Sequence, residues 1–279
     1  MLVNLNDVLI PARRGKYAVG LFNTVNLELA RGVMEAAGEL DSPVIIGTAE
    51  VLLPYGPIED LANLLIPMAE RASVPVVVHL DHGLKEETCR QALDLGFSSI
   101  MYDCSTMEYE ANIEHVKRMA ETAHACGASI EAELGHVGDN GGEDPSLFYT
   151  DSAQARDFIE RTGADALAIA VGTAHGAYKL PPKLDFNRIA EIAENIPTPL
   201  VLHGGSGLSD SDFRTAVERG ISKVNIFTDI NQAGARAAGS GYREGIGLTD
   251  MILPEIEAVK RSVMEKMRLF GSAGQGSGR

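Results

Sequence analysis

Short runs of apolar, mostly β-branched residues alternate along this chain with longer segments whose apolar residues recur every three or four positions. The short runs are typical of strands buried on both faces, and the longer spacing is typical of amphipathic helices. The pattern predicts eight strands, over residues 17–22, 43–47, 76–80, 99–102, 129–133, 166–171, 200–202 and 223–227. It predicts seven intervening helices, over residues 27–40, 58–72, 85–95, 109–126, 152–162, 187–195 and 209–219.

Capping signals support these boundaries. Ser152 and Ser209 are expected to be N-caps, while Gly38, Gly96 and Gly220 are expected to end helices. Eight successive β/α units predict an α/β fold closed into a single (β/α)8 TIM barrel. A doubly wound open sheet is the alternative, but it would leave the eighth unit unexplained.

Three segments lie outside this regular pattern. Residues 5–14 predict an extra N-terminal helix that covers the bottom of the barrel, and residues 135–149, after strand five, form a glycine-rich acidic loop. Loops of this length in compact domains often act as mobile lids. We expect residues 1–273 to form the barrel domain and residues 274–279 a flexible tail.

Composition narrows the function. The 279-residue chain carries a formal charge of −15, which argues against nucleic acid and means that a phosphate site must be built locally. No apolar run is long enough to cross a membrane, and we do not expect the first residues to form a signal peptide. Only three cysteines occur, without a pairing pattern, so we expect a cytoplasmic protein.

Histidines and acidic residues follow the predicted strands at one end, where a TIM barrel carries its active site. His82, His175 and His203 follow strands three, six and seven. Three imidazoles leave one position open on zinc, which is typical of a catalytic metal site. A metal-dependent hydrolase barrel is disfavoured because strand one lacks the H-x-H pair of such sites.

A phosphate site is predicted between strands seven and eight. Gly204, Gly205 and Ser206 follow strand seven, while Asn225 and Thr228 accompany strand eight. Glycine allows backbone N–H groups to approach phosphate oxygens, and a helix starting near Ser209 would add its dipole. A metal-free Schiff-base route is disfavoured, since Lys223 is expected at the wrong rim and Lys179 in a proline-rich loop.

Five motifs occur in order with matching gaps: HLDHG at 79–83, EAELG at 131–135, GTAHG at 172–176, LHGGSG at 202–207 and KVNI at 223–226. Together they resemble the class II, zinc-dependent ketose-bisphosphate aldolases, which include fructose- and tagatose-bisphosphate aldolases. The resemblance extends from about residue 5 to residue 273. It implies a lyase of carbohydrate metabolism and glycolysis that cleaves the C3–C4 bond of a ketose phosphate, and fructose or tagatose 1,6-bisphosphate is the leading substrate. The products would be dihydroxyacetone phosphate and an aldehyde.

The resemblance also implies residue roles. His82, His175 and His203 would bind zinc, and Asp81 would act as the acid/base at the C4 hydroxyl. Asp103 and Glu133 match a second metal position, and Glu143 matches a proton-shuttling acid on the loop. The substrate and its phosphate would contact Asn23, Gly176, Gly204, Gly205, Ser206, Asn225 and Thr228, with Na⁺ or K⁺ nearby. A homodimer or homotetramer is also implied.

This chain departs from the family pattern where the distal end of a substrate would lie. Thr48 and Ala49 replace a serine near the end of strand two, and residues 239–243 replace an Asp-Pro-Arg stretch. Arg236 or Arg243 is then the candidate partner for a second phosphate. The alternatives are a ketose 1-phosphate, a deoxy-keto sugar-acid phosphate, another metal-dependent barrel lyase or epimerase, and a non-catalytic partner subunit.

Overall fold

The chain forms a closed barrel of eight parallel strands that pair in sequence order, β8 closing onto β1. This computed structural model describes residues 1–138, 149–174 and 182–276. The strands are β1 Val19–Asn23, β2 Val44–Ala49, β3 Val76–Gly83, β4 Ser99–Tyr102, β5 Ser129–Leu134, β6 Ala166–Ile169, β7 Leu200–Leu202 and β8 Ile221–Ile226. The predicted TIM barrel is therefore confirmed.

Helices cover the outside of the barrel. They are α1 Leu5–Gly15, α2 Leu27–Glu39, α3 Ile58–Arg71, α4 Glu86–Asp94, α5 Tyr109–Ala125, α6 Ser152–Thr162, α7 Phe186–Asn195, α8 Asp210–Glu218, α9 Thr228–Gly241 and α10 Thr249–Phe270. A short 3₁₀ helix, Glu50–Leu52, follows β2. The sequence pattern did not predict α9 and α10, which pack against each other after β8, α10 also lying against α2.

Two of the predicted caps are wrong. The N-cap of α6 is Asp151, whose carboxylate accepts the N–H groups of Ala153 and Gln154, so Ser152 is already helical. Gly38 lies inside α2, and the left-handed residue after this helix is Asp41. Ser209 caps α8 as predicted, through a reciprocal capping box with Asp212.

The N-terminal helix seals the bottom of the barrel, as the sequence predicted. Its buried residues Leu5, Val8, Leu9 and Ala12 belong to a cluster with inward-facing residues of six strands, namely Val19, Leu21, Ile45, Val77, Met101, Ala166, Ala168 and Val201. Arg13 donates to the carbonyl oxygens of residues 193, 196 and 198, at 2.5, 2.7 and 2.9 Å, and so ties α1 to the end of α7.

Side chains along each strand point alternately into and out of the barrel, so the inward-facing residues form layers. Above the apolar floor lies a polar layer that contains His79, Ser99, Glu131 and Lys223, all fully buried. His79 thus points into the barrel, where its Nδ1 lies 2.8 Å from Ser99 Oγ. The placement of Lys223 at the wrong rim was incorrect, because β8 begins at Ile221 and brings Lys223 to mid-barrel.

The end of the chain contacts the connection between α2 and β2. Ser272 Oγ lies 2.8 Å from Ser42 Oγ, and the backbone N–H groups of Gly274 and Gly276 donate to the carbonyls of Leu40 and Asp41. Residues 277–279 lie outside the described residues, and a flexible tail from residue 274 stays a prediction. Among the helices of the described chain, none combines the length and apolar character needed to cross a membrane.

We predict that Gly47→Ala prevents the barrel from closing normally. A Cβ at Gly47 would overlap the backbone carbonyl of His79 on the neighbouring strand, which cannot move without breaking sheet pairing. The loss of unfolding free energy should reach about 4 kcal/mol or more. Urea denaturation followed by circular dichroism measures it.

The matched control is Gly38→Ala, in α2, where an added methyl meets no atom within 4 Å. Because alanine favours the helix, this variant should gain roughly 0.5–1 kcal/mol. Equal stability of the two variants would contradict the argument.

Candidate active site

A cleft of about 360 Å³ opens at the carboxyl end of the barrel strands. It is lined by predicted site residues from five strands or the turns after them, including Asn23, Asp81, His82, Asp103, His203, Gly204, Gly205, Ser206, Asn225 and Thr228. The structure therefore brings together ten predicted residues from five separate stretches of the sequence. Glu143, His175 and Gly176 lie outside the described residues.

An irregularity in β3 allows two consecutive residues to face this cleft. Neighbouring side chains of a regular strand point to opposite faces. His82 instead has a positive φ of 42°, and the pairing of β3 with β4 shifts register between Leu80 and Gly83. Asp81 and His82 thereby both line the cleft, with His82 Nε2 3.9 Å from Asp81 Oδ1.

The two histidines face each other across the cleft floor. His82 Nε2 lies 2.7 Å from His203 Nδ1. The far nitrogen of each ring meets a carboxylate at 2.7 Å: Asp103 at His82 Nδ1 and Glu131 at His203 Nε2. This pattern, in which a carboxylate holds one imidazole nitrogen and leaves the other for a metal, is typical of histidine metal sites.

The donor atoms fit a divalent metal ion in two overlapping groups. Asp81, His82 and His203 each offer one atom within 4.8 Å of the others, and so do His82, Asp103 and Glu133. Nitrogen and carboxylate donors of this kind suit zinc. The short contact between the two imidazoles requires a hydrogen between them, which a metal ion would have to displace.

Glu133 lies fully buried below the cleft. Burial raises the pKa of its carboxyl group, although contacts with His136 and the N–H of Val137 oppose the shift. The Val137 N–H donates to Oε1 at 2.9 Å, whereas Oε2 has no hydrogen-bond partner among the described residues. An oxygen left without a donor in a buried site is consistent with a cation ligand.

Asp81 is held by two side-chain amides. Asn23 Nδ2 donates to Oδ2 at 2.7 Å, and Asn225 Nδ2 donates to Oδ1 at 3.0 Å. Burial opposes ionisation of this carboxyl group, but the electrostatic influence of His82, His203 and Lys223 and the Asn23 hydrogen bond lower its pKa overall. Both asparagines were predicted as substrate contacts, and their contact with Asp81 was not anticipated.

The predicted phosphate loop lies between β7 and α8. Gly204 has a φ of 66°, and a Cβ there would overlap the backbone of Ala174, so the close approach requires glycine. Ser209 already caps α8, whereas no side chain caps α9. Phe227 and Thr228, at the start of α9, line the cleft. The start of α9 therefore faces the cleft, a helix terminus that the sequence argument did not include.

Sequence reasoning missed several other residues. His136 lines the cleft, and its Nδ1 lies 3.0 Å from Ser105 Oγ. Val51, Leu52 and Leu84 form an apolar wall of the same cleft. A rule based on strand ends could not find them, because they lie in connections whose path depends on tertiary packing.

The described lining of the cleft contains neither lysine nor arginine. Arg236, a candidate partner for a second phosphate, lies on the exposed part of α9 and donates to Gln232 at 3.2 Å. Arg243 follows α9 and is also absent from that lining. Within the described lining, a distal phosphate would therefore find neither a lysine nor an arginine as its partner.

Comparisons with known proteins agree with this geometry. The family model for class II fructose-bisphosphate aldolase matches residues 3–275. The chain is 40% identical to the fructose-bisphosphate aldolase of Geobacillus stearothermophilus over 284 residues, covering 98% of each protein. It is 39% identical to the Thermus caldophilus enzyme of the same name over 312 residues, with 99% and 100% covered.

Structural similarity points the same way. The crystal structure of the YdjI aldolase from Escherichia coli K12 superposes with a TM-score of 0.91 at 37% identity, covering 99% of this chain and all of that one. The chain belongs to the class II fructose-bisphosphate aldolase family. It is thus an aldolase, a lyase of carbohydrate metabolism, as the motifs indicated, in a family whose members depend in general on zinc.

We predict that zinc binding at this site releases about one proton at pH 8. Burial lowers the pKa of His82, but Asp81, Asp103 and Glu133 outweigh it and raise the pKa to about 10. The metal-free site therefore holds a proton that the metal must displace, and the release should diminish as the pH rises through 10. Calorimetry in buffers of different ionisation enthalpy counts the protons.

Asp103→Asn should reduce this proton release, because it removes a hydrogen bond and a charge that raise the pKa of His82. Asp157→Asn, an exposed change on α6, should leave it unaltered. Zinc binding at pH 8 without proton release would show that His82 is neutral in the metal-free protein.

Proposed function

We propose that this protein is a zinc-dependent aldolase that cleaves and forms the C3–C4 bond of a ketose 1-phosphate. The observation that carries the proposal is the position of Asp81. It is held by two amides and lies beside His82 and His203, so an acid/base group and metal-ligating imidazoles converge on one cleft. An ionised carboxylate there can accept the C4 hydroxyl proton.

His82 and His203, with His175 from the undescribed segment, would hold one catalytic zinc ion. Bound zinc would polarise the ketose carbonyl and stabilise negative charge at its oxygen. Asp103 and Glu133 would provide, with His82, a second position for a metal. We expect the carboxylate contacts of both imidazoles to set their orientation, as they do in other histidine metal sites.

Asp81 would take the proton from the C4 hydroxyl as the C3–C4 bond breaks and the aldehyde forms. Glu143 would deliver and remove the proton at C3 of the dihydroxyacetone phosphate half. Gly204, Gly205, Ser206 and Thr228, with Gly176, would bind the phosphate, supported by the N-terminus of α9 and a monovalent cation, Na⁺ or K⁺. Asn23 and Asn225 would orient Asp81 and contact the substrate.

The end of the substrate that becomes the aldehyde could carry a second phosphate or none. Relatives named fructose-bisphosphate aldolase support a fructose or tagatose bisphosphate. The wall formed by Val51, Leu52 and Leu84, in a described lining without lysine or arginine, favours an aldehyde half without phosphate. We propose the second, a ketose 1-phosphate or a deoxy-keto sugar-acid phosphate, acted on by a homodimer or homotetramer. The three unpaired cysteines suit the cytoplasm.

The test is a substrate panel assayed for dihydroxyacetone phosphate. It contains fructose and tagatose bisphosphates, several ketose 1-phosphates and a deoxy-keto-gluconate phosphate. We expect release from a ketose 1-phosphate, its loss after EDTA treatment and its recovery with zinc. Asp81→Asn should lower kcat at least about 100-fold because it removes the proton acceptor. The exposed change Glu35→Gln on α2 should not.

A higher kcat/KM for a bisphosphate would contradict the distal assignment and leave the aldolase assignment intact. Full activity in the EDTA-treated protein or in Asp81→Asn would contradict the proposed chemistry. Silence toward the whole panel, with zinc bound, would favour a non-catalytic partner subunit.

A further inference from the structure

A lysine and a glutamate form an ion pair in the middle of the barrel. Lys223 Nζ, from β8, lies 2.7 Å from Glu131 Oε2, from β5, and both side chains are fully buried. The two strands are not neighbours in the barrel, so the pair spans its interior. It lies in the polar layer, between the apolar floor and the cleft.

The same glutamate contacts a candidate metal ligand. Glu131 Oε1 lies 2.7 Å from His203 Nε2, while His203 Nδ1 faces His82 at 2.7 Å. A continuous line of contacts therefore leads from Lys223 through Glu131 and His203 to the metal-binding nitrogens. Each carboxylate oxygen of Glu131 serves one neighbour.

The chemistry of these groups fixes the proton on His203. An ionised carboxylate only accepts hydrogen bonds, so the imidazole nitrogen that faces Glu131 must carry the hydrogen. The lone pair is then on Nδ1, the nitrogen directed at the metal position. The ammonium of Lys223 lies 2.7 Å from the other oxygen of this carboxylate, and both side chains are fully buried.

Stability alone does not account for such a pair. A buried ion pair is often no more stabilising than apolar side chains of similar volume, because both charges lose their hydration. The floor of this barrel shows that apolar residues fill the adjacent layer readily. Nor is Lys223 placed as a Schiff-base nucleophile, since it is fully buried and absent from the described cleft lining.

We propose that Lys223 is a positioning residue: through Glu131 it holds His203 in the tautomer and orientation that present Nδ1 to the metal. Lys223 touches neither metal nor substrate in this role. The inference rests on the metal site of the proposed function, and it assigns a task to the lysine of the KVNI motif beyond filling the barrel.

The experiment compares Lys223→Met with the wild-type protein. Methionine has a similar length and no charge, so the packing volume is largely kept. We expect zinc affinity, measured by chelator competition, to fall about 10–100-fold, as for changes behind other zinc-bound histidines. In the metal-free protein, ¹H–¹⁵N NMR should show that His203 shifts from the Nε2–H form toward a mixture of tautomers.

Glu131→Gln tests the intermediate link. An amide can donate or accept at His203 Nε2, so it no longer dictates the tautomer. This variant should show the same tautomer mixture and a similar loss of zinc affinity. The matched control is Lys260→Met, which removes a lysine that pairs with Glu39 between α10 and α2, outside the barrel. It should change neither readout.

Removing one charge can prevent folding, because the other is left buried and unpaired. The double variant Lys223→Met/Glu131→Gln avoids this problem and should fold while keeping the weakened zinc affinity. Wild-type affinity and a wild-type tautomer in a folded variant would overturn the inference. Failure of the wild-type protein to bind zinc would instead overturn the proposed function.

Discussion

The backbone at His82 is the constraint on which the site depends. A left-handed residue that is not glycine costs on the order of 1–3 kcal/mol, and it persists only where its surroundings enforce it. Two contacts hold His82 in this conformation, one at its ring and one at the next residue of the strand. Asp103 holds the His82 ring at 2.7 Å, and Gly83 resumes pairing with β4 in a space where a Cβ would meet Cys89 and the carbonyl of Met101. Without this irregularity, Asp81 and His82 would face opposite sides of the sheet.

A series of side-chain contacts connects His82, at the cleft, with Lys223 in the middle of the barrel. Contacts run from Lys223 to Glu131, then through the imidazoles of His203 and His82 to Asp103. Each group is buried or nearly so, and each has a partner of complementary character. Because buried charges are tolerated only with such partners, a change at one end affects the orientation of groups at the other.

Much of this could be read from the sequence. Apolar runs located the eight strands to within a few residues, and the rule that barrel sites lie at strand ends selected Asp81, His82, Asp103 and His203. The alternation of side chains also explains why Glu131 and Glu133 both face inward. Lys223 was misplaced because strand eight was predicted to begin at Lys223, two residues after Ile221, where the structure begins it.

Other features depend on packing that no local pattern encodes. Three residues of the connections between strands and helices reach the cleft only because of the path these connections take, namely His136, Val51 and Leu84. The position of the α9 start at the cleft depends on how the chain turns after β8, and the α8 capping box was visible only in part as Ser209. Asn23 and Asn225 were chosen correctly, but their shared partner, Asp81, became clear only when three strands were assembled.

Because α1 closes the bottom of the barrel, it determines how a metal ion and a substrate can enter and leave the site. Leu5, Val8 and Leu9 pack into the floor of the barrel and close this end, so the interior is open only at the carboxyl ends of the strands. Metal ion, substrate and solvent must all use the rim. A ligand seated in the cleft then covers the route by which an ion beneath it could leave, so the order of departure follows the order of stacking: ligand first, metal last.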